Sequence, residues 1–503
     1  MSLRGVGRRR PRAAAALATG TLVLGLLAAC SSDEGEEGAA PAAPQPTTAV
    51  AAPESGTTPR EADDPALDAA ISEPREDSYY PQVGDPLVDA LHYQLDLAWT
   101  PATKTLDAVE TLVFRATADA EEFQLDFGES LSVAQIDVDG EDVEFRERGK
   151  DLVVRSPVVA DQRYVVELHY GGTPKPVAAP TTRGDFSTTG WTIAEDGGAW
   201  TMQEPFGAYS WYAVNDHPSD KAFYDFTLST PTPFVGVANG ELTSREQVDG
   251  NTVTTWHLDE PASSYVVTVA MGKFRMARDR SASGVPLTYW TLKGDPVARR
   301  QVEAAGRELA WVEEKLGPYP FSTLGILVVD SRSGMETQTM ITLGDEDYTL
   351  SPEVIVHEMV HQWWGNVVTP EDWSDLWMSE GMTMYLQYLW ESDRYDVPVE
   401  DLMSDWAGFQ QQARDELGPP AAYNPAMFGE GNAYHLPAMM WHVIRGQLGD
   451  ELFWRLVREW PAQHDGQNAS YDDLTAWWSE ESGQDLRPVF DAWLLGETAP
   501  AFP

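Results

Sequence analysis

From about Ser78 to Ala282 the apolar residues fall at every second position. Leu91, Tyr93, Leu95 and Leu97 alternate with His92, Gln94 and Asp96, and the same rhythm returns at Phe123, Leu125 and Phe127 and at Tyr164, Val166, Leu168 and Tyr170. A period of two places one set of side chains on one face of a strand. Asp139-Gly140, Gly171-Gly172 and Asp249-Gly250 supply the turns between such runs. The pattern predicts an antiparallel β domain over residues 79–285, saddle-shaped or sandwich-like. After Asp295-Pro296 the spacing lengthens toward that of helices. Ala304, Leu309, Trp311, Val312 and Leu316 predict one helix that stops before Gly317-Pro318, and Ile326 to Val329 a short buried strand. The rest, through Leu495, reads as mostly helical. The expected fold class is α+β and multidomain, with a mostly helical domain over 286–503.

The first 78 residues follow neither period. Arg4, Arg8, Arg9, Arg10 and Arg12 precede a mostly apolar run from Ala13 to Ala29, which is followed by Cys30. Residues 1–29 resemble a bacterial lipoprotein signal, which implies that Cys30 is lipidated and becomes the first residue of the mature chain. The expected location is the extracytoplasmic face of a bacterial cell membrane, with release to the exterior as the variant. Residues 30–78 are dominated by Ala, Pro, Thr, Ser and Glu, so a disordered tether is expected there.

Charge and cysteine count narrow the chemistry. The 34 Lys and Arg face 80 Asp and Glu, a net charge of −46 that repels phosphate backbones, so no nucleic-acid partner is expected. The single Cys excludes an intramolecular disulfide framework and any Cys-rich metal site.

One stretch points to a metal. Ser351-Pro352-Glu353 reads as a helix start with a capping hydroxyl, and His357-Glu358-Met359-Val360-His361 follows about a turn later. Four-residue spacing stacks two imidazoles on one helix face, where both can reach one ion, and sets Glu358 beside that face. Glu380, in Trp377-Met378-Ser379-Glu380-Gly381, is a candidate third ligand at the start of a second helix running to about Trp390. Taken singly, Glu380 reads as a solvated acid.

Together these segments resemble the aminopeptidase N-like family of zinc metallopeptidases. His357 through Asn366 is similar to that family's zinc helix, Trp373 through Tyr385 to its Trp-x-x-x-Trp-x-x-Glu-Gly segment, Asn215 through Lys221 to a signature of its β domain, and Phe490 through Leu494 to a further segment. The likeness extends over about 79–503. It implies a saddle-like β domain followed by a thermolysin-like catalytic domain, with one zinc ion per chain held by His357, His361 and Glu380. Ser333-Gly334-Met335-Glu336-Thr337 is similar to the family's G-x-M-E-N loop, with Ser333 and Thr337 as departures. By that likeness Gly334, Met335 and Glu336 bind substrate, with Glu336 on its free α-amino group. Glu204 falls where the family places a second amine-binding acid. Tyr434 corresponds to the catalytic tyrosine, although Leu436-Pro437 replaces the usual basic-Gly pair. Singly, Glu204 and Glu336 read as surface acids and Tyr434 as a core aromatic. His435 is adjacent to Tyr434 but is not expected to be a ligand.

The implied activity is hydrolysis of the N-terminal bond of peptides that carry a free amino terminus. Glu358 acts as general base on the zinc-activated water, and Tyr434 stabilises the oxyanion. A thermolysin-like endopeptidase, a catalytically silent lipoprotein scaffold and a bifunctional hydrolase are the alternatives. The chain ends at Pro503, where many relatives continue into a large C-terminal helical domain, so a two-domain enzyme with a more open site is expected.

Overall fold

The computed structural model describes residues 60–503. The expected signal over 1–29, Cys30 and the tether up to residue 59 lie outside the described residues.

Residues 60–78 depart from the tether expectation. Pro65–Ala70 is a 3-10 helix, opened by Pro65 and by the Asp64 carboxylate, which accepts from the Ala66 N–H at 2.9 Å. Leu67 and Ala70 are buried against Leu91, Val113 and Phe223. Asp77 is buried and accepts from the backbone N–H groups of Tyr79, Tyr80 and Trp373. Composition misleads here because the segment needs no core of its own. Two apolar side chains and one well-bonded carboxylate dock it on surfaces that already exist.

The β domain holds two principal sheets. The larger has eight strands in the order Glu241–Val248, Asn251–Ser263, Lys221–Pro231, Val88–Thr100, Thr105–Ala116, Arg163–Gly172, Leu131–Val138 and Glu141–Asp142. Arg163–Gly172 keeps the predicted alternation, with Tyr164, Val166, Leu168 and Tyr170 buried and their neighbours half-buried. Two features differ from expectation. Val88–Thr100 pairs parallel with Lys221–Pro231, placing Tyr93 beside Tyr224 and Leu95 beside Phe226. The same strand is buried on both faces: His92, Gln94 and Asp96 are buried along with their apolar neighbours. His92 Nε2 is 2.9 Å from Asp225 on the paired strand. The second sheet runs Val235–Ala238, Val269–Gly272, Ala199–Met202, Thr188–Ile193, Val177–Ala178, and packs on the first through contacts such as Trp99 on Trp191.

A third sheet, in the order Phe274–Arg280, Pro286–Leu292, Leu324–Val329, Met340–Gly344, Gly334–Met335, carries the helical domain. Leu324–Val329 is parallel to both neighbours, and Gly334–Met335 is an antiparallel edge. Phe274–Arg280 belongs to this sheet, so the helical domain starts about a dozen residues before the expected 286. Among the described residues nine α-helices belong to this domain: α1 (Pro296–Val302) and α2 (Ala305–Leu316), between the second and third of these strands, then α3 (Pro352–Val360), α4 (Leu376–Tyr395), α5 (Val399–Leu417), α6 (Gly431–Leu448), α7 (Asp450–Gln463), α8 (Tyr471–Ser482) and the short α9 (Arg487–Phe490). The two domains share buried surface. Trp373 and Phe428 of the helical part lie in the β-domain core. The buried Lys221 ammonium donates across the boundary to the carbonyls of Asn366, Val367 and Gln467 at 3.0, 3.1 and 3.3 Å. Among the described residues no helix is long and apolar enough to cross a membrane.

Candidate metal centre and active-site cleft

α3 is short and begins at Pro352, but the Ser351 hydroxyl makes no capping bond, contrary to the expectation from sequence. His357 lies in its last turn and His361 is its C-terminal cap residue, still helical in φ and ψ, so the two rings stay one turn apart on one face and meet edge to face, centroids 4.8 Å apart. α4 begins at Leu376 and runs past the expected end to Tyr395, which puts Glu380 in its second turn.

Three ligand-type atoms converge there. His357 Nε2 is 3.2 Å from both His361 Nε2 and Glu380 Oε2, and His361 Nε2 is 3.4 Å from that carboxylate. A tetrahedral ion with bonds of about 2.0 Å spaces its ligands about 3.3 Å apart, so these separations fit zinc. The far sides of both rings face oxygen acceptors. His357 Nδ1 is 3.0 Å from Gln387 Oε1, and His361 Nδ1 is 3.1 Å from the Trp364 carbonyl and 2.9 Å from Ser379 Oγ. A proton on Nδ1 satisfies these acceptors and leaves each Nε2 lone pair for a metal. Gln387 is seven residues beyond Glu380 on α4, two turns along the same face, and that period is the sequence signal by which it could have been found.

The centre lies in a cleft of about 670 Å³, whose lining includes Glu204, Gly334, Met335, Glu336, Glu358 and Tyr434 as well as the three ligand residues. The predicted residues of 204–434 therefore meet in one place, while Cys30 lies outside the described residues. Glu336, Glu358 and His361 have ligand atoms within 4.8 Å of one another. A Cβ on Gly334 would lie 2.9 Å from Glu358 Oε1, so the missing side chain is what lets the strand edge close on that carboxylate. The Glu336 carbonyl accepts from Gln362 Nε2 (3.0 Å) and Asn366 Nδ2 (2.8 Å), which ties the Glu336 loop to the segment that carries His361. Glu336 Oε1 is buried without a protein partner. At the departures from the family loop, the Thr337 hydroxyl bonds to Thr342 Oγ1 at 2.9 Å and Ser333 N–H donates to Ser331 Oγ at 3.2 Å. Gln203, next to Glu204, faces inward and bonds Ser264, Val267 and Trp211, so it is a structural peg.

The electrostatics call for positive charge. Burial and the neighbouring carboxylates hold Glu204 and Glu358 well above the ordinary range, and burial and Glu380 raise Glu336. Burial works against ionising Glu380, yet His361 and His357 beside it keep it far below that range. Burial likewise opposes a charged His361, but Glu380 and Glu336 outweigh it and push that imidazole up to about 10. So acidic a cleft favours a metal cation and an ammonium together. His435 also lines the cleft, but burial lowers it to about 3; its ring stacks on Trp406, and its Nδ1 is 2.8 Å from the Tyr388 hydroxyl.

Sequence reasoning missed Arg183, Asp185, Phe186 and Tyr348, which all line the cleft. They sit in loops without period or motif, and nothing local marks them.

Comparison with known proteins gives a consistent result. Residues 89–266 match the family model described as the Peptidase M1 N-terminal domain, and residues 300–493 match that of the Peptidase family M1 domain. Aminopeptidase M1 of Arabidopsis thaliana is 26% identical over 58% of this chain, and glutamyl aminopeptidase of Sus scrofa 25% identical over 58%. The chain spans only 36% and 34% of those relatives' own lengths. The M1 zinc metallopeptidase of Deinococcus radiodurans, crystallised as a point mutant bound to a Tyr-Ser-Ala substrate, shares the fold with a TM-score of 0.76 at 23% identity, covering 85% of this chain and 98% of that one.

Proposed function

The chain belongs to peptidase family M1, and on that premise we propose that it is a zinc-dependent aminopeptidase that removes the first residue from peptides with a free N-terminus. One observation carries the reading. The metal-type triad shares its cleft with two carboxylates outside the triad, Glu204 and Glu336, that an ammonium would neutralise.

His357, His361 and Glu380 would hold the zinc, which when bound supplies Lewis acidity and lowers the pKa of a coordinated water. Glu336 and Glu204 take the substrate ammonium in charge-assisted hydrogen bonds and set the register, so that only the first peptide bond reaches the reacting position. Glu358, kept basic by burial and like charge, removes the proton of the attacking water and returns it to the leaving amine. Tyr434 donates its hydroxyl proton to the carbonyl oxygen as negative charge develops there.

The test is a peptide with a free N-terminus against its N-acetylated twin, with zinc present. The expected result is release of a single N-terminal residue from the free peptide alone. Equal cleavage of both would point to an endopeptidase, and cleavage of neither to a silent scaffold.

We also propose that the enzyme is anchored by a lipid on Cys30 at the outer face of the cell membrane. The arginine-rich start, the apolar run to Ala29 and the placement of the single cysteine support this. Cys30→Ser should move the protein from the membrane fraction to the soluble fraction; unchanged fractionation would argue against the anchor.

A further inference from the structure

We propose that Arg183, a residue of the β domain, positions Tyr434 for its hydrogen bond to the reacting carbonyl oxygen; this rests on the role given to Tyr434 above. Arg183 lies in the loop between the strands Val177–Ala178 and Thr188–Ile193. The loop is fastened to the chain just before α6, the helix that carries Tyr434 in its first turn. The Phe428 N–H donates to the Pro180 carbonyl at 2.9 Å, the Thr181 hydroxyl donates to the Phe428 carbonyl at 2.7 Å, and the Thr182 hydroxyl donates to the Glu430 carboxylate. Arg183 closes the contact: its Nη1 donates to the Gly429 carbonyl at 2.9 Å and to Tyr434 Oη at 3.4 Å. Gly429 has φ +68°, and a Cβ there would lie 3.2 Å from the Phe186 ring and 3.4 Å from Arg183 Nη1. The glycine thus suits both its own backbone and the approach of the loop.

Asp185 holds the opposite edge of the guanidinium, accepting from Nε at 3.1 Å and Nη2 at 2.5 Å, while the group lies over the Phe186 ring at 4.6 Å. The fork is therefore fixed before substrate arrives. A guanidinium only donates, so Tyr434 Oη must accept from it. The tyrosine's own proton is then directed elsewhere, and among the described residues no protein acceptor takes it. It remains for the substrate oxygen. The adjacent cation also polarises the phenol and makes it a stronger donor. Lysine could supply the charge but not a rigid fork that serves Asp185 on one edge and Gly429 with Tyr434 on the other.

The test is steady-state kinetics of the full chain on a free-N-terminus peptide, comparing Arg183→Met, Arg183→Lys, Tyr434→Phe and the Met/Phe double variant. Tyr434→Phe should lower kcat by about 10² or more. Arg183→Met should lower kcat about tenfold with KM within about threefold, a loss of transition-state stabilisation and not of substrate binding. Arg183→Lys should recover part of that loss. In the Phe background Arg183→Met should change kcat less than about twofold, because the group it acts through is gone. An equal loss in both backgrounds, or none in either, overturns the proposal. If Tyr434→Phe alone leaves kcat intact, the role of the tyrosine falls and this proposal with it, an outcome distinct from the other two. Should Arg183→Met unfold, Asp185→Asn leaves the guanidinium in place but frees one edge of the fork, and the same cycle applies: a smaller loss that also vanishes in the Phe background.

Discussion

Glu110 lies in the middle of the strand Thr105–Ala116 with no exposed surface, its Oε2 accepting from the Ala213 N–H at 2.9 Å. Burial pushes its carboxyl up to about 8, whereas the unfolded chain titrates near about 4.3. Below that lower value both states are protonated and the group is neutral to stability. Between the two values the folded chain keeps a proton that the unfolded chain has shed, so stability falls as pH rises through the window, and above about 8 the loss is complete. Glu110→Gln is neutral in both states and can still accept from Ala213. We expect its thermal unfolding temperature to pull ahead of the wild type between about pH 5 and about pH 8.5; a gap that stays constant across that range would mean that Glu110 ionises normally in place. Residues of this kind show why side-chain chemistry was unevenly legible. Glu358 was found because its neighbours His357 and His361 are local in sequence. Glu110 shares the parity of Leu106, Ala108, Leu112 and Phe114, so the alternation turns it to the buried face, but only the tertiary structure brings the Ala213 N–H to meet it there.

At the scale of elements, α4 and α6 cross where Gly381 faces Pro437. A Cβ on Gly381 would come within 2.4 Å of the Pro437 Cβ, so the helix that holds Glu380 and the helix that holds Tyr434 are brought together by a missing side chain. The Pro437 ring stands directly against Gly381 at that crossing. Gly381→Ala should destabilise by about 1–3 kcal/mol through overpacking. Gly408→Ala, in α5 with nothing within 4 Å of its new methyl, should stabilise by up to about 1 kcal/mol. Denaturant unfolding of the pair decides this; a destabilised Gly408→Ala or a neutral Gly381→Ala would contradict the packing described. The helices α2, α3 and α4 and the strands around 91–97, 123–127, 164–170 and 326–329 were legible as elements because their periods are local, and the rest of the second domain was legible only as mostly helical. The parallel pairing of Val88–Thr100 with Lys221–Pro231 was not, because the partner strands are far apart in the chain and alternation is the same for either direction.

For the whole molecule, a net charge of −46 surrounds a cleft that itself gathers Glu204, Glu336, Glu358 and Glu380. A cation bound only by the folded state relieves that repulsion and stabilises by mass action. Stripping metal with a chelator should therefore lower the unfolding temperature, and added zinc should restore it; identical melting with and without chelator would show that the triad holds no metal. Periodicity and spacing were enough to mark a β-rich part, a helical part and the His357–His361 pair with Glu358 beside it, whereas Glu380 took its place as third ligand through the family resemblance. The features marked by period and spacing depend on backbone geometry within a few turns, which local sequence encodes directly. The tertiary structure alone decided that residues 60–78 dock, that Val88–Thr100 is covered on both faces, and that Arg183 reaches Tyr434 across 251 positions of chain. Such meetings depend on how loops run and domains pack, and neither leaves a period in the sequence.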